Sequence, residues 1–250
     1  MASAGAGRIR IGTSGWQYDH WKGPFYPEDL PKRDFLAFYA GRFDTTEINS
    51  FFYGLPKPET VAGWRDVVPA GFSFAVKGSR YITHMKKLKD PGASVAKFWE
   101  RAQLLGGQLG PVLFQLPPNW NANPDRLRAF LDALPPGPRY TFEFRDDSWF
   151  APEILELLEA NGAAFCVYEL GEQASPVAVT ADFAYVRLHG PEAGYAGDYG
   201  DEALQAWADR LRDWQQRGLD TYLFFDNDEA GYAAQDGLRL RAMLGQAQGG

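Results

Sequence analysis

The sequence predicts an α/β fold, a single (β/α)8 TIM barrel, and three observations carry that prediction. Eight strand-like segments recur at residues 9–12, 45–48, 73–77, 112–115, 140–144, 164–167, 184–188 and 221–225, with starts 20 to 39 residues apart. A βα unit takes about 30 residues, so eight of them fill a chain of 250. Helical periodicity falls in the gaps between the strands, which is the alternation of a parallel sheet. The competing fold, an open doubly wound sheet, asks for a glycine-rich phosphate turn after the first strand. Gly12-Thr13-Ser14-Gly15-Trp16 is not that fingerprint.

Taken in order, the first strand runs into a long connection carrying Trp16, Tyr18, His20, Trp21, Phe25 and Tyr26. The second, Thr45-Thr46-Glu47-Ile48-Asn49, puts Glu47 and Asn49 on one face. The third ends at Lys77 and passes into a loop with Arg80, His84, Lys86, Lys87 and Lys89. Val95, Phe98, Ala102 and Leu105 then mark a helix face, and the fourth strand ends at Gln115. Leu127, Phe130, Leu131 and Leu134 mark the next helix, and the fifth strand aligns Glu143 with Arg145. Pro152 suits a first helical turn before Ile154, Leu155 and Leu158, with Asn161-Gly162 as the stop. After the sixth strand the stretch from Glu169 to Pro176 is too irregular for a full helix, so helix six is expected to be short or missing. The seventh strand alternates Val186 and Leu188 with Tyr185, Arg187 and His189. Asp201 is expected to cap a helix whose Leu204, Trp207, Leu211 and Trp214 share one face and which ends at Gly218. The eighth strand ends in Asp226 and Asn227.

Composition narrows the class. No run of about 18 apolar residues occurs, so no transmembrane helix is expected. The one cysteine, Cys166, lies in a strand-like run and reads as a small buried apolar residue, which excludes a disulfide framework and points to the cytoplasm. Residues 1–8 and 245–250 read as disordered tails around one domain, 9–244. The net charge of −7 divides into +4 over residues 1–125 and −11 over 126–250. Such acidity disfavours broad binding to nucleic acid and leaves a local basic patch possible.

Several strands end in polar residues of inward parity. A buried Arg or Glu costs several kcal/mol unless it is paired, so those ends are expected to meet in one polar site at the carboxyl ends of the strands. Glu47 and Glu143 are candidate general bases and His189 the acid or orienting group. Lys77, His84, Arg145 and Arg187 would hold an anion, with the two guanidinium groups converging. Trp16, Asn49, Gln115, Asp226 and Asn227 complete the substrate-binding set. Each residue alone fits a structural ion pair or hydrogen bond equally well. Three histidines are too few for a zinc cluster. The site is read as metal-free, the alternative being Mg²⁺ or Mn²⁺ held by Glu47, Glu143 and Asp226.

Longer motifs join these residues: Ile11-Gly12-Thr13-Ser14-Gly15-Trp16, Glu47-Ile48-Asn49-Ser50-Phe51-Phe52-Tyr53, Phe74-Ala75-Val76-Lys77 and Phe114-Gln115-Leu116-Pro117-Pro118. They continue with Glu143-Phe144-Arg145, Ser148-Trp149-Phe150, Tyr185-Val186-Arg187-Leu188-His189-Gly190 and Phe225-Asp226-Asn227-Asp228. Over roughly residues 9–244 the chain resembles the domain-of-unknown-function 72 family, the YecE-like TIM barrels. The resemblance implies the barrel and a polar pocket at its carboxyl face, and no activity. Glu169 departs from it, since relatives tend to carry Asp there.

Three functions are therefore weighed. The first is a hydrolase or phosphodiesterase acting on an anionic, phosphate-bearing or nucleotide-like small molecule. The second is a non-catalytic barrel that binds a nucleotide, single-stranded nucleic acid or a protein. The third is a carboxylate-pair glycosidase, which would need Glu47 and Glu143 about 5–5.5 Å or 6.5–9.5 Å apart and not locked against Arg145 or Lys77.

Overall fold

The computed structural model describes residues 5–192 and 194–246; the outer parts of both expected tails, 1–4 and 247–250, lie outside them. In chain order the main elements are β1 (Ile9–Thr13), α1 (Phe35–Ala40), β2 (Thr45–Ile48), α2 (Ser50–Tyr53), α3 (Pro58–Val67), β3 (Ser73–Lys77) and α4 (Pro91–Ala102). They continue as β4 (Leu109–Gln115), α5 (Pro124–Asp132), β5 (Tyr140–Glu143), α6 (Pro152–Ala160), β6 (Ala164–Leu170) and β7 (Gln173–Ala174). The last are β8 (Phe183–Leu188), α7 (Asp201–Gln216), β9 (Asp220–Phe225) and α8 (Tyr232–Met243). All eight expected strands form, and β7 is a two-residue antiparallel partner of β6. Among the described residues no helix separates β6 from β8, as the irregular sequence there implies.

Two compact units are distinguished: Met1–Glu47, Val167–Ser175 and Asp182–Gly250 make one, and Ile48–Cys166 with Pro176–Ala181 the other. In the first, β1 and β8 both pair in parallel with β9, Ile9 opposite Thr221 and Arg187 opposite Phe224. A parallel bridge from Ser14 to Glu47 joins the end of β1 to β2. Gly12 permits that approach, because a Cβ there would stand 2.1 Å from the Thr45 carbonyl oxygen. Helix α7 buries Leu204, Trp207, Leu211 and Trp214, the face read from its periodicity. Its cap differs from expectation. The helix starts at Asp201 with Gly200 before it, and the Asp201 carboxylate turns outward to pair with Arg239.

In the second unit β3, β4, β5 and the first half of β6 pair in parallel, with Gln115 opposite Glu143. Helices α3, α4, α5 and α6 each begin with proline, whose fixed φ and missing N–H suit a first turn. Helix α6 buries Ile154, Leu157 and Leu158, so Leu157 takes the place expected of Leu155. The core here is aromatic: Phe144 stacks on Trp149 with ring centroids 4.9 Å apart. After β3 the chain makes a π-turn over Tyr81–Met85. It then holds Lys87, Leu88 and Asp90 in the left-handed region, with φ of 48°, 62° and 44°. Non-glycine residues rarely sit there, and a run of them costs roughly 1–3 kcal/mol each.

Candidate active site

The strands of the first unit end in charge. Glu47 is the third residue of a four-residue strand buried throughout, and Arg187 the fifth of six buried residues of β8. Parity sends Tyr185, Arg187 and His189 to one face, and all three are at most 1% exposed. So dense a set of buried polar groups survives only if its charges are paired. The Arg187 Nη2 group donates to Glu47 Oε1 and to Asp226 Oδ2, both at 2.8 Å, and lies 3.3 Å from Ser14 Oγ. Glu47 also accepts from Tyr185 OH at 2.6 Å and from Ser14 Oγ at 3.1 Å. Asp226 meets His189 Nδ1 at 2.9 Å, and His189 Nε2 faces Arg187 Nη1 at 3.4 Å.

These contacts fix the histidine tautomer. A guanidinium only donates, so Nε2 is the acceptor and the ring proton sits on Nδ1, directed at Asp226. Arg187 is shared between two carboxylates, and the formal charge of this trio is −1. Further negative charge lies close by. The Asp228 carboxyl is raised above its usual range, first by burial and then by the charge of Asp226. The Tyr18 phenol, which donates to the Ser14 carbonyl at 2.7 Å, is also raised by burial and by Asp226, Asp228 and Glu47. Only 16% of the Asp226 side chain is exposed, and the Tyr195 ring stands edge-on to His189 with centroids 5.1 Å apart.

Two residues placed at the site by sequence have inward-turned roles. Trp16 is 3% exposed, and its carbonyl accepts from Tyr26 OH at 2.7 Å. Asn227 is buried and spends its amide on the Gly197 carbonyl at 2.8 Å and Asp236 Oδ2 at 2.9 Å, fastening the end of β9 to α8. Tyr185 and Tyr18 stand outside the set read from the sequence. The parity of Tyr185 with Arg187 is a signal that finds it; nothing in the loop sequence singles out Tyr18. Glu169 accepts from Trp207 Nε1 at 3.2 Å, and burial raises its carboxyl.

In the second unit Glu143, fully buried, is gripped by Nε and Nη2 of Arg145. Cys166 Sγ lies 3.9 Å from the other carboxylate oxygen. Glu47 and Glu143 are therefore each engaged by an arginine. Gln115 and Asn49 are half-buried, and the Asn49 Oδ1 is buried with no hydrogen-bond partner among the described residues. The Lys77 ammonium sits 4.6 Å from the centroid of the Phe52 ring, and His84 meets the same ring edge-on at 5.1 Å. The His84 imidazole is pushed down to about 4 by burial and then by the positive charges of Arg80 and Lys77. Among the described residues no group of three or more His, Cys, Asp or Glu is placed to hold a metal ion, and no helix is long and apolar enough to cross a membrane.

Parallel strands alternating with helices, their carboxyl ends carrying buried charged networks, define a protein of the TIM-barrel class. The family model described as "Protein of unknown function DUF72" matches residues 10–250, and the chain belongs to that family. It is 26% identical over 270 aligned positions to the UPF0759 protein YunF of Bacillus subtilis, covering 94% of each chain. It is 35% identical over 119 positions to the UPF0759 protein YecE of Escherichia coli, covering 46% of this chain and 43% of that one. Among solved structures it is similar to a DUF72 family protein from Thermotoga maritima, with a TM-score of 0.86 and 28% identity over 95% of this chain and 99% of that one. An endo-beta-N-acetylglucosaminidase from Cordyceps militaris has a TM-score of 0.51 at 10% identity, covering 96% of this chain and 90% of that one, a likeness of fold alone.

Proposed function

We propose that the chain is an enzyme of hydrolytic type, with the His189–Asp226 pair as its proton-transfer centre and an anionic, ring-bearing small molecule as its substrate. The observation that carries this reading is the 2.9 Å contact of His189 Nδ1 with Asp226, the other ring nitrogen, Nε2, facing Arg187 Nη1 at 3.4 Å. Such a pair orients an imidazole and stabilises the imidazolium it becomes on taking a proton. Arg187 acts here as the counter-ion that lets Glu47 and Asp226 be buried together. The anionic character proposed for the substrate rests on the basic run that follows β3 in the sequence, Arg80, Lys86, Lys87 and Lys89. In the second unit burial, and after it the positive charges of Arg80 and Lys77, disfavour charge on His84. A carboxylate-pair glycosidase is less well supported, because Glu47 and Glu143 are each held by an arginine.

The test is turnover of 4-nitrophenyl phosphate and bis(4-nitrophenyl) phosphate by the full chain. His189→Gln and Asp226→Asn should each lower kcat by about 10²–10⁴ at unchanged fold, judged by circular dichroism. Unchanged turnover in both variants, or no turnover of either ester by the parent chain, defeats the proposal.

A further inference from the structure

The second unit carries a cavity that the proton-transfer centre does not use. It has a volume of about 470 Å³, within the usual range for small-molecule sites. Its walls are the end of α2, the π-turn after β3 and the first turns of α4, represented by Tyr53, Tyr81, Ile82, Phe98, Lys86 and Lys97. No acidic residue is among the lining residues. Tyr53 is 81% exposed and Tyr81 51%, a large apolar area to leave in water at the rim of a cavity. Lys97 is exposed, and Lys86 is held by the Asp90 carbonyl at 3.2 Å, its ammonium 5.9 Å from the Tyr81 ring centroid.

The backbone that builds this wall is strained. The π-turn positions Tyr81 and Ile82, and the left-handed residues Lys87, Leu88 and Asp90 return the chain to α4. Such geometry persists where the surroundings over-determine it, and π-turns recur at functional sites. A cavity with aromatic walls, two ammonium groups and no carboxylate favours one chemistry, a planar ring that stacks on tyrosine and bears an anionic group beside it. We propose that this cavity is a binding site for a small aromatic anion, such as a nucleoside monophosphate or an aryl sulfonate.

The experiment measures binding and not turnover, so its failure leaves the hydrolytic reading standing. The full chain is titrated with adenosine monophosphate and with 1-anilinonaphthalene-8-sulfonate, followed by calorimetry and by probe fluorescence. At least one should bind with a dissociation constant below about 1 mM. For whichever probe binds, Tyr81→Ala and Lys97→Glu should each weaken it at least tenfold. Both positions are exposed, so the variants should keep the parent circular dichroism spectrum and melting temperature. If adenosine monophosphate is the ligand, adenosine and inorganic phosphate alone should each bind at least tenfold more weakly. Failure of both probes to bind below 1 mM overturns the proposal. So does binding that survives both Tyr81→Ala and Lys97→Glu.

Discussion

Replacing Arg187 by alanine separates a structural counter-ion from a ligand-binding cation. The guanidinium is 1% exposed and supplies a short hydrogen bond to Glu47 and another to Asp226. Its loss leaves Glu47, itself fully buried, with the Tyr185 and Ser14 hydroxyls as donors and no cation from Arg187. Breaking a buried pair from one side costs about 3–5 kcal/mol. For a chain of this length each kcal/mol lowers Tm by about 2–4 °C, so a fall of about 10 °C is expected. Urea melts at pH 7 give the free energy directly. The loss should shrink toward pH 5, because the uncompensated carboxylates then take up protons in the folded state. The double variant Glu47→Gln with Arg187→Met removes the guanidinium and one of its two carboxylates at similar volume, leaves Asp226 as the remaining charge, and should be more stable than the sum of those two single changes requires. A loss below about 1 kcal/mol for Arg187→Ala, or strict additivity in the double variant, would refute the counter-ion role.

Other expectations follow from the same geometry. His84 has a folded-state pKa below its unfolded value of 6.5, so the unfolded chain binds its proton first. Stability it contributes above pH 6.5 is lost as pH falls toward about 4; after allowance for its half-exposed setting this is about 1–2 kcal/mol, and it should vanish from the pH profile of His84→Gln. Phosphate bound beside Lys77 and Arg80 should raise the His84 pKa in an NMR titration; no movement at saturating phosphate would count against an anion there. Asn227→Asp should destabilise by about 2–3 kcal/mol in urea melts, since it sets a carboxylate against buried Asp236, and acidification should restore part of that loss. Mg²⁺, Mn²⁺ or Zn²⁺ at millimolar concentration should move Tm by less than a degree or so, whereas a site filled to a hundred times its dissociation constant would add about 2.7 kcal/mol. A shift of several degrees that disappears in Glu47→Gln would establish a metal site.

The strands were legible because alternation is written into few residues. Val186 and Leu188 against Tyr185, Arg187 and His189 determine both the strand and which side chains share a face. The missing sixth helix was legible for the opposite reason, since the stretch after Glu169 supports no helical face. Caps were harder. Asp201 has the residue type and position of a cap, but the competing partner Arg239 is 38 residues away and invisible to local pattern. The site divides in the same manner. Parity picked out Glu47, Glu143, Arg187 and His189, yet an arginine's role is decided by its partner. For Arg187 one partner, Glu47, lies 140 residues distant in the chain. Loop residues such as Trp16 have no periodicity to say which way they face, so an aromatic ring that packs and one that stacks a ligand read alike. The π-turn at Tyr81 has no sequence signature at all.

Cys166 gives the molecule a built-in clock. It is the chain's one cysteine, its side chain is 0% exposed on β6, and its neighbour Phe165 is zipped to Phe142 of β5. A thiol reagent in solution reaches that buried sulfur when the structure around it opens. The rate of labelling under native conditions therefore times that opening, with no engineered label. Because the sulfur lies 3.9 Å from a carboxylate oxygen of Glu143 on β5, a ligand that holds this strand pair closed should slow its labelling.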